Sequence, residues 1–253
     1  MSKLADLIRR ATRGEPAPLG FGAGSRKTTP TMLLVALVGE HWARGATDAA
    51  AAGADALLLT GRPGDKELAE AISAAQGRPC GLLEPETHAG QPAQLRSAGL
   101  DFLVLGPQAP ASALLEEKLG FLFHLREELT DAQLRTLEAL PVDALYLERE
   151  LSPPTIWRQM ELQRISGLAR KPLLLQMRPD AEQQELLSLR EAGVALIALD
   201  LKERSATDAL RRLRGVIDAL PRRRPRHRKE GEVTLPGATA RGEEELEEEE
   251  EEE

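Results

Sequence analysis

One eleven-residue phrase, AAGADALLLTG at Ala51–Gly61, constrains the fold more than any other feature, because it returns three times. Its relatives are SAGLDFLVLGP at Ser97–Pro107, ALPVDALYLER at Ala139–Arg149 and AGVALIALD at Ala192–Asp200. Each copy ends a helical pattern, usually at Ala-Gly, places an Asp or small residue next, and continues as a short Leu/Ile/Val run that stops at a polar residue or glycine. Short continuous apolar runs of this kind suit strands buried on both faces of a parallel sheet.

Between and before these copies lie four more apolar runs, so the strands are expected at Met32–Val38, Asp55–Thr60, Pro79–Leu83, Asp101–Leu105, Gly120–Leu125, Asp143–Leu147, Pro172–Met177 and Ala195–Leu199. Helical patterns separate them, at His41–Ala52, Asp65–Gln76, Gln91–Ala98, Ala111–Lys118, Thr130–Leu140, Pro154–Arg170, Asp180–Ala192 and Ser205–Leu220. Asp65, Thr130, Asp180 and Ser205 stand where N-caps belong, and Gly53, Gly77, Gly99 and Gly193 where helices stop. Strict alternation of eight strands with eight helices predicts a (β/α)8 barrel of the TIM type. An open doubly wound sheet is the competitor. It would carry a glycine fingerprint in its first turn, and Gly39-Glu40-His41-Trp42 has none. The phrase marks only even strands, so the repeating unit is a βαβα pair used four times.

Residues 1–31 precede the barrel. Leu4, Leu7, Ile8 and Ala11 give Met1–Arg13 the spacing of a short amphipathic helix. The glycine-rich Pro18–Pro30 that follows departs from a phosphate loop, since Arg26 rather than glycine precedes Lys27 and a strand, not a helix, comes next. It reads as a turn at the barrel floor. Residues 221–253, a basic run followed by a Glu run, hold almost nothing apolar and are expected to be a disordered appendage.

Charge excludes some partners. The chain carries a formal −8, but its tail from Pro221 holds seven basic and twelve acidic residues, leaving residues 1–220 near neutral. No nucleic-acid or membrane footprint follows from that balance. No run reaches the roughly 20 apolar residues of a membrane span, and a cytoplasmic location is the expectation. Cys80 is the single cysteine, which rules out an internal disulfide. Asparagine is absent, as suits either a thermophile or a GC-rich genome.

A barrel of this type places its site at the C-terminal ends of its strands. Counting five places from Asp55, Asp101, Asp143 and Ala195 gives Thr60, Gly106, Glu148 and Asp200 as equivalent mouth positions, and the odd strands add Glu40, Glu84, His124 and Gln176. Ala36, Ala56, Cys80, Tyr146 and Ala198 are expected in the layers beneath. Asp55, Asp101 and Asp143 fall at strand starts, on the floor, where such residues support stability.

Two functions fit this ring. The first is an enzyme on a small carboxylate-bearing anion, a lyase, isomerase or hydrolase. In it Glu40, Glu84 and Asp200 hold Mg²⁺ or Mn²⁺, His124 and Glu148 move a proton, and Arg62, Arg126, Gln176, Arg178 and Lys202 bind the substrate. A tightly bound flavin or sugar phosphate is not expected, because the loops after strands seven and eight, MRPDAEQ and DLKERSATD, lack the glycines such groups need. The second is a non-catalytic barrel that binds or scaffolds, with the charged tail for solubility or partner contact. Oligomeric state is left open by the sequence.

Overall fold

Eight parallel strands close on themselves in chain order, with the first hydrogen-bonded to the last. The computed structural model describes residues 2–13, 30–62, 64–84, 91–148, 153–202 and 206–221. These belong to one compact unit, residues 1–223. The Gly-rich lead-in as far as residue 29 and the charged tail beyond Pro221 lie outside the described residues.

The strands are β1 Leu33–Val38, β2 Ala56–Leu59, β3 Cys80–Leu83, β4 Phe102–Leu105, β5 Gly120–His124, β6 Ala144–Leu147, β7 Leu173–Gln176 and β8 Val194–Asp200. The helices are α1 Lys3–Arg13, α2 Trp42–Ala51, α3 Asp65–Ala74, α4 Gln91–Ser97, α5 Asp131–Leu137, α6 Ile156–Ala169, α7 Gln183–Glu191 and α8 Ala206–Asp218. The chain is thus a TIM barrel, as its alternation requires. One helix differs from expectation: between β4 and β5 the chain makes only a 3-10 turn, Ala111–Leu115. Pro107 and Pro110 each lack an N–H donor within this short connection, which leaves too little chain for a regular helix.

Local signals explain the boundaries. Thr130 caps α5 in a capping box, its Oγ1 accepting from Gln133 N while Gln133 Oε1 accepts from Thr130 N. Asp65 instead sits inside α3 behind Gly64, and α7 starts later than Asp180, after Glu182. Gly53, Gly77, Gly99 and Gly193 all take positive φ at helix ends, where a Cβ would be strained.

The core has two compartments. Between sheet and helices pack Leu57, Leu103, Leu145, Leu173, Ile197 and their neighbours. Inside the barrel pack Leu33, Val35, Ala56, Leu58, Phe102, Val104, Leu122, Tyr146, Leu174, Leu196 and Ala198. Large and small residues alternate there: the Phe102 ring occupies the space that a Cβ on Gly81 would need. Each fully buried Leu stabilises by about 1.5–3 kcal/mol, and the interior is filled rather than hollow. Ala36 and Cys80, expected inside, belong to the outer compartment. In register Val35, not Ala36, aligns with Ala56 and Ala198, and Cys80 aligns with the outward Leu57. Burial, then the Asp101 charge, pushes the Cys80 thiol up to about 12, which leaves it unreactive near neutral pH.

The floor is closed by α1, whose Leu4, Ile8 and Ala11 join the interior cluster. It packs against β1, β5 and β8. Asp101 holds its N-terminus, with Oδ1 accepting from Lys3 N at 2.8 Å and Oδ2 from Leu4 N at 2.9 Å. Gly120 leaves room for Ser2, whose Oγ would lie 2.4 Å from a Cβ there. The other two repeat aspartates clasp adjacent strands. Asp55 N donates to Leu34 O while its Oδ2 accepts from Leu34 N, and Asp143 does the same with Phe121. Arg214 of α8 completes the Asp55 clasp at 2.8 Å.

Candidate functional site

Register decides which strand ends face the mouth. Because side chains alternate, the inward Leu58, Val104, Tyr146 and Ala198 place Thr60, Gly106, Glu148 and Asp200 on the same inner face two residues on. All four even-strand positions therefore meet expectation. On odd strands, inward Leu122 and Leu174 bring His124 and Gln176 to the same face. Glu40 is displaced: inward Leu37 makes Gly39 the ring residue, and a Cβ on Gly39 would meet Thr60 Oγ1 at 3.1 Å. Glu40 follows it, exposed.

Glu84 is also one place out of step with inward Leu83, yet its side chain reaches the mouth. Its backbone takes a left-handed φ of 41°, unusual for a residue with a long side chain. That turn carries the carboxylate across the end of β4, over Gly106, where a Cβ would lie 2.6 Å from Glu84 Oε1. Gly106 is thus the ring position that admits Glu84 to its partners.

Those partners are His124 and Arg126. His124 is 1% exposed, and its Nδ1 lies 2.8 Å from Glu84 Oε1. Arg126 Nη2 donates to the other Glu84 oxygen. Arg126 Nε also approaches Nδ1 at 3.3 Å, but a carboxylate can only accept, so the shorter contact puts the ring hydrogen on Nδ1. In its neutral form the ring then keeps its lone pair on Nε2. Among the described residues that atom is buried without a hydrogen bond, and Glu148 Oε2 stands 3.4 Å away. Glu148 is the outer member of this pair, with its side chain 55% exposed.

Beside His124, in register with it on β6, stands Tyr146. Their rings are 4.8 Å apart, tilted by 45°. Tyr146 is fully buried, and its hydroxyl has no hydrogen-bond partner among the described residues. Burial first, then the charges of Glu148, Asp200 and Glu84, push its pKa above the ordinary phenol value, so the group is a neutral O–H donor. Across the mouth Asp200 Oδ2 pairs with Lys202 Nζ at 3.0 Å. That hydrogen bond and the Asp200 charge, with Glu148 and Glu40 adding to them, raise the Lys202 pKa. Lys202 is exposed and keeps its charge.

The structure therefore gathers Glu84, His124, Arg126, Tyr146, Glu148, Asp200 and Lys202 at the mouth, with Gln176 half-buried at the end of β7. Arg178 turns away, to Glu185 at 3.4 Å and Asp180 at 3.6 Å. Arg62 lies in the exposed turn after β2. Arg149 lies outside the described residues. The expected metal set of Glu40, Glu84 and Asp200 does not assemble: Glu84 serves His124 and Arg126, Asp200 serves Lys202, and among the described residues no group of three or more His, Cys, Asp and Glu could hold an ion. Tyr146 is the site residue that sequence reasoning placed only in a packing layer. Its signal was present: the sole tyrosine, two places before Glu148, brings a hydroxyl into an apolar interior.

A cavity of ≈ 390 Å³ lies nearby, lined by Leu125, Leu129, Leu147, Trp157, Met160 and Ile165 among others. Leu125 and Leu147 adjoin His124 and Glu148 in sequence but face the helices, so this space is behind the mouth. His124 and Glu148 do not line it.

No protein-family model matches the sequence, and no curated protein matches it. Solved structures do match its fold. Thiamine phosphate pyrophosphorylase from Pyrococcus furiosus superposes with a TM-score of 0.56 at 14% identity, covering 74% of this chain and 96% of that one. An E244A mutant tryptophan synthase alpha-subunit from the same organism gives 0.58 at 13%, covering 74% and 98%. KGPDC from Streptococcus mutans gives 0.56 at 10%, covering 74% and 97%. At such identities the likeness shows the TIM-barrel fold alone. Among the described residues no helix is long and apolar enough to cross a membrane.

Proposed function

We propose that this chain is a small-molecule enzyme that moves a proton on a carboxylate-bearing substrate at the barrel mouth, as a lyase, isomerase or hydrolase. The observation that carries this reading is the Glu84–His124–Glu148 line. A buried imidazole is fixed by a carboxylate on Nδ1 at 2.8 Å and presents an unpartnered Nε2 beside a second carboxylate. Glu84 sets the tautomer, His124 takes the proton, and the half-exposed Glu148 passes it to solvent. Arg126 and Lys202 supply positive charge for the substrate carboxylate, each exchanging part of its present ion pair for it. Because Glu84 and Asp200 are already matched by these cations, the reading needs no resident Mg²⁺ or Mn²⁺. That the structural neighbours are enzymes on the same fold supports it by analogy.

The same ion pairs favour one alternative, a non-catalytic barrel whose mouth is closed by its own charges. Thermal unfolding against a panel of small carboxylates, with and without Mg²⁺ or Mn²⁺, separates the two. The enzyme reading expects carboxylates to raise Tm in the wild type, less so in K202M or R126M, with no metal requirement. A rise with metal alone would restore the metal-assisted version, and indifference to every ligand would favour the scaffold.

A further inference from the structure

We propose that Tyr146 and His124 form a two-point subsite beneath the rim that takes the hydroxyl oxygen of a hydroxycarboxylate. This rests on the reading of the mouth as a carboxylate site and names the substrate class it selects. The two residues are register neighbours on β6 and β5, both on the inner face, with rings 4.8 Å apart. Both are at least nine-tenths buried, and among the described residues neither the Tyr146 hydroxyl nor His124 Nε2 makes a hydrogen bond, Nε2 having only the Glu148 carboxylate at 3.4 Å. Buried polar atoms are usually satisfied, and these two sit on neighbouring rings, so one ligand oxygen can serve both.

The chemistry of that atom follows from what the pair offers. Tyr146 has an O–H to donate, and Nε2 of the neutral ring has a lone pair to receive when Glu84 accepts the ring hydrogen on Nδ1. An ammonium would donate to Nε2 but cannot accept from Tyr146. A carbonyl or carboxylate oxygen would accept from Tyr146 but leaves Nε2 facing a second acceptor, and a carboxylate would also meet the charges of Glu84, Glu148 and Asp200 that bear on this tyrosine. A hydroxyl does both. Its own carboxylate then reaches the rim, where Arg126 and Lys202 stand at the ends of β5 and β8. Entry requires Glu148, now 3.4 Å from Nε2 and half-exposed, to swing aside.

A single buried water has the same donor and acceptor pattern, and the test separates it from a substrate hydroxyl. Calorimetric titrations of full-length protein with matched pairs, malate against succinate and lactate against propionate, read the subsite directly. The hydroxy acid is expected to bind at least about 10-fold tighter in each pair, because a site built for a hydroxyl penalises its loss. Tyr146→Phe is expected to abolish that preference while leaving succinate and propionate affinities unchanged, and to raise Tm without ligand. His124→Gln provides a second variant with the same expected loss of preference should the first fail to fold. Equal binding of both members by the wild type, or an undiminished preference in Y146F, overturns the subsite and leaves the carboxylate reading standing. A crystal structure with malate bound and a water retained on Tyr146 also overturns it. Binding of neither class, with K202M and R126M indistinguishable from wild type, removes the underlying reading as well.

Discussion

The floor and the mouth of this barrel are both built from carboxylates at strand ends, and they use them in opposite ways. On the floor, Asp55, Asp101 and Asp143 accept from backbone N–H groups, so each acid closes a joint between strands or seats α1. At the mouth, Glu84 reaches its partners from a left-handed backbone, and its partner His124 stands beside a hydroxyl that nothing satisfies. At the mouth the left-handed Glu84 and the unmatched Tyr146 hydroxyl share one neighbour, His124. Folded proteins keep such costs where a ligand or a reaction can use them.

Substitutions can break or sharpen this contrast. The largest effect is expected at His124→Gln: turnover of any substrate found should fall by about 10²–10⁴, with the urea midpoint nearly unmoved. An equal loss of stability would place His124 among the packing residues. On the floor the pattern should invert. Asp101→Ala strands two N–H groups of α1 and should cost about 2–4 kcal/mol in denaturant unfolding, with ligand affinity at the mouth unchanged. Tyr146→Phe should stabilise the free protein by about 1 kcal/mol, since it removes a buried hydroxyl without a partner. Glu84→Gly relieves about 1 kcal/mol of backbone strain but strands the buried His124 N–H at about 1–3 kcal/mol, so Tm should fall together with turnover.

The smallest effect concerns pH. Burial is the leading cause of the raised Asp143 pKa, against the opposing Phe121 hydrogen bond. A raised acid pKa means that the fold loses stability as pH climbs from below 3.8 through the raised value. An amide at this position does not titrate and escapes that loss. The stability of the Asp143→Asn variant relative to wild type should therefore improve from about pH 3 to about pH 7, by under about 1 kcal/mol. A flat difference across that range would show the charge to be matched after all.

Most of the scaffold was legible because burial on both faces writes apolar runs, and because the even-strand phrase repeats its register in full. Thr60, Gly106, Glu148 and Asp200 came from that phrase and all lie on the inner face. Odd strands have no such marker. For β1 and β3 the parity slipped by one residue, which put Ala36 and Cys80 inside and Glu40 in the ring, as a single-residue shift must. Glu84 carried the same slip but returns to the mouth through a positive φ, which a glutamate in sequence does not announce. The expected metal set failed for a related reason: carboxylate positions can be counted along a chain, but their pairing with Arg126 and Lys202 is settled only when the ring closes. Tyr146 was visible as a residue, and only its packing shows the hydroxyl to be unmet.

The seat of α1 has a consequence for how the chain is made. This helix is made before every strand of the barrel, yet its resting place is assembled from Asp101, from β5 and from β8, the last strand of the barrel. It must wait until β8 has been made, so its apolar stripe of Leu4, Ile8 and Ala11 is a late-docking surface and its contacts are of long sequence separation. Substitutions in that stripe should therefore speed unfolding more than they slow folding. The opening helix of the chain is its closing move.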